Sequence, residues 1–196
     1  MARISRHYSD DVLNGATIET FIAIYEDQTR GWFHDQARIL EKNSDHAGFV
    51  LLLIAIAYVE GHAIFLKGQD SDHHSKKFFI AGFKDIFQFH GDPPPDTKTV
   101  EKALDEIWNE VRNGLFHTGM TRGKVILSGD FMHPFQLEWN PINGDVMRIG
   151  VNPHRVLSTV EDHLSRYVTR LRDPSRVELR KNFKKAWDLR MCERGV

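Results

Sequence analysis

The chain has 196 residues, 41% of them hydrophobic and 27% charged, with a formal net charge of -1. Such a chain can bury one sizeable core, and its near-neutral balance excludes a polycation, so any nucleic-acid surface must be local. A single cysteine, Cys192, excludes an intramolecular disulfide and a cysteine-based zinc site, and reads as an incidental thiol in a reducing compartment. The polar segment Met1 to Asp10 has no apolar signal-peptide core, and the longest apolar run, Phe49 to Val59, is short for a bilayer span. The expectation is a cytoplasmic protein with no membrane partner, organised as one domain over 1–196.

In chain order, Ile18, Phe21, Ile22, Tyr25, Trp32 and Ile39 predict a first helix over Thr17 to about Lys42, with Gly31 marking a bend. Ser44 or Asp45 is placed to cap a second helix, His46 to about Leu66, whose first half is apolar nearly all round, as in a buried central helix. A polar loop, Gln69 to Ser75, precedes a third helix from about Lys76 to Phe89. Gly91-Asp92-Pro93-Pro94-Pro95 ends it, because proline cannot continue the hydrogen-bond ladder. Asp96 or Thr97 then caps a fourth helix running to about Thr118.

The character changes over residues 121–151. Lys124 to Ser128 predicts a short strand, and Phe135–Trp139, the Asn143-Gly144 turn and Val146–Gly150 predict a hairpin. From Pro153 helical spacing returns, with Pro174 in the first turn of a last helix ending near Met191. The expected fold is mainly α: a bundle of four to five helices, a small antiparallel β insert and C-terminal helices over about 153–191.

The fourth helix ends Trp108-Asn109-Glu110-Val111-Arg112-Asn113-Gly114-Leu115-Phe116-His117. Asn113 and His117, four apart, lie nearly above one another, and Arg112 takes the adjoining edge. Arginine matches phosphate in charge and can bind two of its oxygens, while an imidazole exchanges a proton near neutral pH. Those groups suit transfer within a phosphodiester. The same Arg and His also fit plain capping of a helix C-terminus.

This run, in this place, resembles the HEPN family, which carries an Arg, a polar neighbour such as Asn and a His near the end of a late helix in a four- or five-helix bundle. The resemblance spans about Thr17 to His117, with the helix from Pro153 as a candidate fifth. It implies an endoribonuclease that uses neither metal nor cofactor and pairs as a homodimer along the motif helices. His117 would act as general acid or base, Arg112 would stabilise the phosphorane, and Asn113 would position His117 or the phosphate. A toxin or defence effector answering to an antitoxin or another regulatory protein fits that class, and a non-catalytic module binding a protein or nucleotide is the alternative. The chain departs from many toxin members by carrying Gly119 where they have a Tyr, and by its β insert.

Other residues add to this reading. Glu60 interrupts an apolar helix, where a buried carboxylate needs a partner. Related proteins often place an acidic residue there facing the motif Arg, so the resemblance implies that Glu60 pairs with Arg112; the alternative is that it faces solvent. His62, on the opposite side, reads as structural. Thr118 and Arg122, around a Gly119 to Gly123 turn, are placed to approach RNA. Asp72-His73-His74 reads as a solvated loop rather than a metal site. Arg166 to Arg194 carries ten Lys or Arg against four acidic residues, either an exposed amphipathic face or a surface that steers a polyanion.

Overall fold

A computed structural model describes residues 2–193, with side chains through Arg190. Cys192 and Arg194 lie outside those side chains. The architecture is mainly helical with a small three-stranded sheet. Helix α1 (Ile18–Thr29) runs through a π turn (Arg30–His34) into α2 (Asp35–Asn43). Gly31 sits inside that turn, so the expected bend is one wide turn of a continuous helix. Thr17 caps α1 by accepting from Thr20 N–H.

Helix α3 (Gly48–Lys67) is the centre of the bundle and stops at Gly68, whose φ of +62° is left-handed. Ser44 and Asp45 do not cap it; Ser44 Oγ instead accepts from His46 N–H in the preceding turn, and Ala47 stands at the cap. By length and composition α3 could cross a membrane. Here it packs against α4 (Ser75–Ile86), α7 (Pro153–Arg172) and α8 (Val177–Glu193). Its first half is not buried all round, however. Phe49 and Val50 are exposed, Leu53 and Ile54 half-buried and Ala57 exposed.

Helix α4 ends three residues before the expected Phe89. The chain straightens there because His90 pairs with the sheet, donating from its N–H to Phe135 O at 3.1 Å and accepting from Leu137 N–H at 2.6 Å. Phe83, Phe87, Phe89 and Phe135 close into one aromatic cluster at that junction.

Asp96 accepts from Thr99 N–H at 2.7 Å and starts α5 (Thr97–Glu106). A second π turn (Ile107–Arg112) carries the same helix into α6 (Asn113–Thr118). The sheet follows: β1 (Val125–Leu127), β2 (Phe135–Trp139) and β3 (Val146–Val151), in the order β1-β3-β2. Its β2–β3 pair is antiparallel, but β1 runs parallel to β3, so the insert is mixed rather than antiparallel. The long Ser128–Pro134 connection returns the chain to the far edge of β3, a path a hairpin turn cannot make. Asn152 then caps α7 by accepting from His154 and Arg155 N–H, with Pro153 in the first turn. Pro174 falls in the α7–α8 loop and not in the first turn of α8.

Helix contacts are close where side chains allow it. A Cβ on Gly82 of α4 would lie 2.1 Å from Val59 O of α3. Arg38 of α2 donates from Nε to Glu161 of α7 at 3.0 Å. One apolar core, including Ile22, Leu51, Phe79, Phe135, Ile149 and Leu164, joins helices and sheet.

Candidate functional site

The motif lies where the second π turn passes into α6. A π turn holds one more residue than the α turn it replaces, and such turns recur at functional positions. Arg112 is its last residue. Its guanidinium is fixed from several directions. Nη2 donates to Glu60 Oε2 at 3.2 Å and Nη1 donates to Asn113 Oδ1 at 3.2 Å. The Trp108 and Phe116 rings take it between them at 4.7 and 4.8 Å from their centroids, the positions four before and four after it on the helix.

Trp108 is itself rooted against Phe79 of α4, with ring centroids 5.4 Å apart. The Arg112 and Glu60 side chains keep about a fifth of their surface open, 22% and 18%, so the pair is half-buried and reachable. Arg112 Nε–H is buried with no acceptor among the described residues, a hydrogen-bond donor left over after Glu60 and Asn113 are served.

Glu60 therefore takes the first of its two expected roles and meets Arg112. Asn113 joins the same cluster. His117 stands apart: it is exposed in the last turn of α6, and among the described residues its ring makes no hydrogen bond or ion pair. At 100° per residue it lies about 140° around the axis from Arg112 and about 40° from Asn113. One copy of the chain thus presents Glu60, Arg112 and Asn113 as a unit, with His117 well round the helix from Arg112.

Gly114 lets the chain fold back beyond the motif, since a Cβ there would lie 2.5 Å from Met120 O. Thr118 Oγ1 donates to Gly114 O at 2.8 Å, which ties its hydroxyl into the helix end. Gly119 and Gly123 turn the chain in left-handed conformations. Arg122 returns to the π turn: its N–H donates to Glu110 O at 3.1 Å and Nη2 donates to Asn109 O at 3.3 Å. Half of the Arg122 side chain remains exposed. Phe116 and Met120 are also exposed around His117.

The aromatic clamp was not read from the sequence, although an Arg with aromatics at both four-residue offsets carries that signal. The basic C-terminal stretch is partly neutralised. Arg172 pairs with Glu26, Arg180 with Glu19 and Lys184 with Asp188. The Asp72, His73 and His74 loop is solvent-exposed, as expected. His62 is buried and donates from Nε2 to Asp85 Oδ2 rather than reaching the motif. No family model, curated protein or solved structure matches the chain.

Proposed function

We propose that this protein is an RNA endonuclease of the HEPN kind, acting as a homodimer without a metal at the motif. The observation that carries this reading is the Arg112 guanidinium, clamped by Glu60, Trp108 and Phe116 on a helix that exposes His117 in its next turn. A purely capping arginine needs neither a carboxylate partner from another helix nor two rings. In the proposed reaction the RNA 2'-hydroxyl attacks the adjacent phosphorus and the bond to the 5'-oxygen breaks. The products are a cyclic phosphate and a free 5'-hydroxyl. His117 takes the 2'-hydroxyl proton or gives one to the leaving oxygen, and Arg112 stabilises the five-coordinate phosphorus.

Because His117 and Arg112 lie about 140° apart around one helix, a second copy supplies the missing half of the groove. Support for such pairing comes from α3. Val50, Leu53, Ala57 and Glu60 follow each other at three- and four-residue steps, so an open apolar stripe leads into the Glu60–Arg112 pair. Toxin or defence-effector activity, with a regulatory protein as partner, and action in the cytoplasm belong to the same proposal.

The alternative, a non-catalytic binding module, is favoured by one feature: Arg112 already has a carboxylate partner. Incubation of the protein with total RNA in the presence of a chelator, with folding followed by circular dichroism, separates the two. Cleavage by the wild type that disappears in His117→Ala and Arg112→Ala supports the nuclease. No cleavage by a folded wild type, or cleavage that survives in both variants, overturns it.

A further inference from the structure

A second group of chemically capable side chains lies on the other side of α3 from Glu60. His62 of α3, Asp85 of α4 and His163 of α7 converge, with one ligand atom of each within 4.8 Å of the others. His62 Nε2 is 2.8 Å and His163 Nε2 is 3.1 Å from the same Asp85 oxygen, Oδ2. The two rings meet edge to face at a centroid distance of 4.3 Å. Both imidazoles are buried, at 1% and 5% exposure, while the Asp85 side chain is 34% open to solvent.

We propose that His62 Nε2, Asp85 Oδ2 and His163 Nε2 bind one divalent first-row transition-metal ion, such as Zn2+, which pins α3, α4 and α7 together. The donor set points to that class. Two imidazole nitrogens and one carboxylate suit zinc and its neighbours, whereas magnesium and calcium take oxygen ligands. Three protein ligands leave a fourth position, and the open side of Asp85 is where water reaches it.

The geometry needs little change. Ligand atoms about 2.0–2.1 Å from a tetrahedral zinc lie roughly 3.4 Å apart. The separations of 2.8 and 3.1 Å from Asp85 Oδ2 widen by about 0.6 and 0.3 Å, which the solvent-facing Asp85 side chain can supply, and the two imidazole nitrogens, within 4.8 Å of each other, must come to the same spacing. The outer contacts also fit. Tyr58 Oη lies 2.9 Å from His163 Nδ1. With metal on Nε2, Nδ1–H donates to that phenol oxygen and fixes the ring, the usual support for a ligating imidazole.

Without metal, Asp85 Oδ2 can accept from both Nε2–H groups, and the metal would take the place of those two hydrogens. The site was hidden in the sequence because its members are 23 and 78 residues from Asp85, with no local ligand spacing to reveal them.

The test is metal titration of the full chain. Protein stripped by chelator and dialysed is titrated with Zn2+ by calorimetry and with Co2+ by visible absorption. One equivalent is expected to bind, raising the thermal midpoint. Asp85→Asn and His163→Gln should weaken binding at least 100-fold, and Tyr58→Phe by roughly 10- to 100-fold. A His73→Gln/His74→Gln double variant should bind like the wild type. Circular dichroism establishes folding, and Asp85→Asn, at the most exposed ligand, serves if His163→Gln does not fold. No stoichiometric binding by the wild type overturns the proposal. So does binding that survives in folded Asp85→Asn, or that is lost in the His73/His74 variant. RNA cleavage is not a readout, so the outcome is independent of the nuclease assignment.

Discussion

Glu60 and Arg112 stand 52 residues apart in the chain and meet at 3.2 Å. That contact joins α3 to the motif helix, and it sets the direction of the guanidinium. Removing the carboxylate leaves a half-buried cation with Asn113 as its remaining hydrogen-bond partner. Glu60→Ala should lower stability by about 1–3 kcal/mol, less than a fully buried pair would lose because a fifth of each side chain meets water. Cleavage should fall by at least tenfold with it. Glu60→Gln, which can still accept a hydrogen bond, should recover most of the stability. Urea unfolding and initial cleavage rates on the same preparations check both.

The rings around Arg112 make a separate prediction. Cation–π contacts of this kind are worth about 0.5–2 kcal/mol each. Phe116→Ala should leave the fold intact, since Phe116 is 49% exposed, yet slow cleavage by about 3- to 30-fold. His117→Ala, which removes the proton carrier, should slow it by roughly 100- to 10,000-fold. Single-turnover rates on one short RNA would show whether the two effects differ as expected.

His34 offers a pH-dependent test away from the motif. It is 2% exposed, and neither ring nitrogen has a hydrogen-bond partner among the described residues. Burial, ahead of the nearby Arg30 charge, pushes its pKa down from 6.5 to about 4. Between those values the unfolded chain takes up a proton that the folded chain does not. Stability present at neutral pH is therefore lost as the pH falls from about 6.5 to about 4, by about 3 kcal/mol for this group. His34→Leu should flatten that slope and unfold at higher urea than the wild type at pH 5.

Gly82 tests the packing of α3 on α4. A methyl group there meets the Val59 carbonyl at 2.1 Å, and backbone cannot step aside as a side chain can. Gly82→Ala should cost about 3 kcal/mol, a drop of roughly 6–12 °C in thermal midpoint for a chain of this size. Gly61→Ala, on a position with open space around it, is the matched control and should cost far less.

The stripe along α3 makes a prediction about assembly. Ala57→Glu puts a charge in the middle of it, on an exposed position where the folded protomer has room for it. Sedimentation should show a dimer for the wild type and a monomer for the variant. A wild type that stays monomeric at all accessible concentrations would remove the shared groove.

Helices with strong periodicity were legible in the sequence, as was Asp96 as a cap, because these are local signals. The Glu60–Arg112 pair was one of two alternatives left open for a lone carboxylate in an apolar helix, and the family resemblance, not the helix itself, pointed to Arg112 as the partner. What escaped was set by contacts between distant segments. The parallel β1–β3 pairing depends on a long connection, and the early end of α4 depends on His90 joining β2. Both π turns escaped because a one-residue shift in the phase of a helical apolar pattern is too small to separate from its ordinary scatter. The His62, Asp85 and His163 group escaped for the same non-local reason, with each residue on a different helix.

The wide turn at Ile107–Arg112 makes the length of the motif helix as informative as its composition. Deleting one residue there, Asn109 for instance, would let the segment relax to ordinary winding. Everything after it would then swing by about 100° relative to the aromatic anchor at Trp108, and His117 would point elsewhere with no functional side chain altered. A single-codon deletion would thus turn Arg112 and His117 together away from Trp108 and Glu60 while sparing every side chain involved.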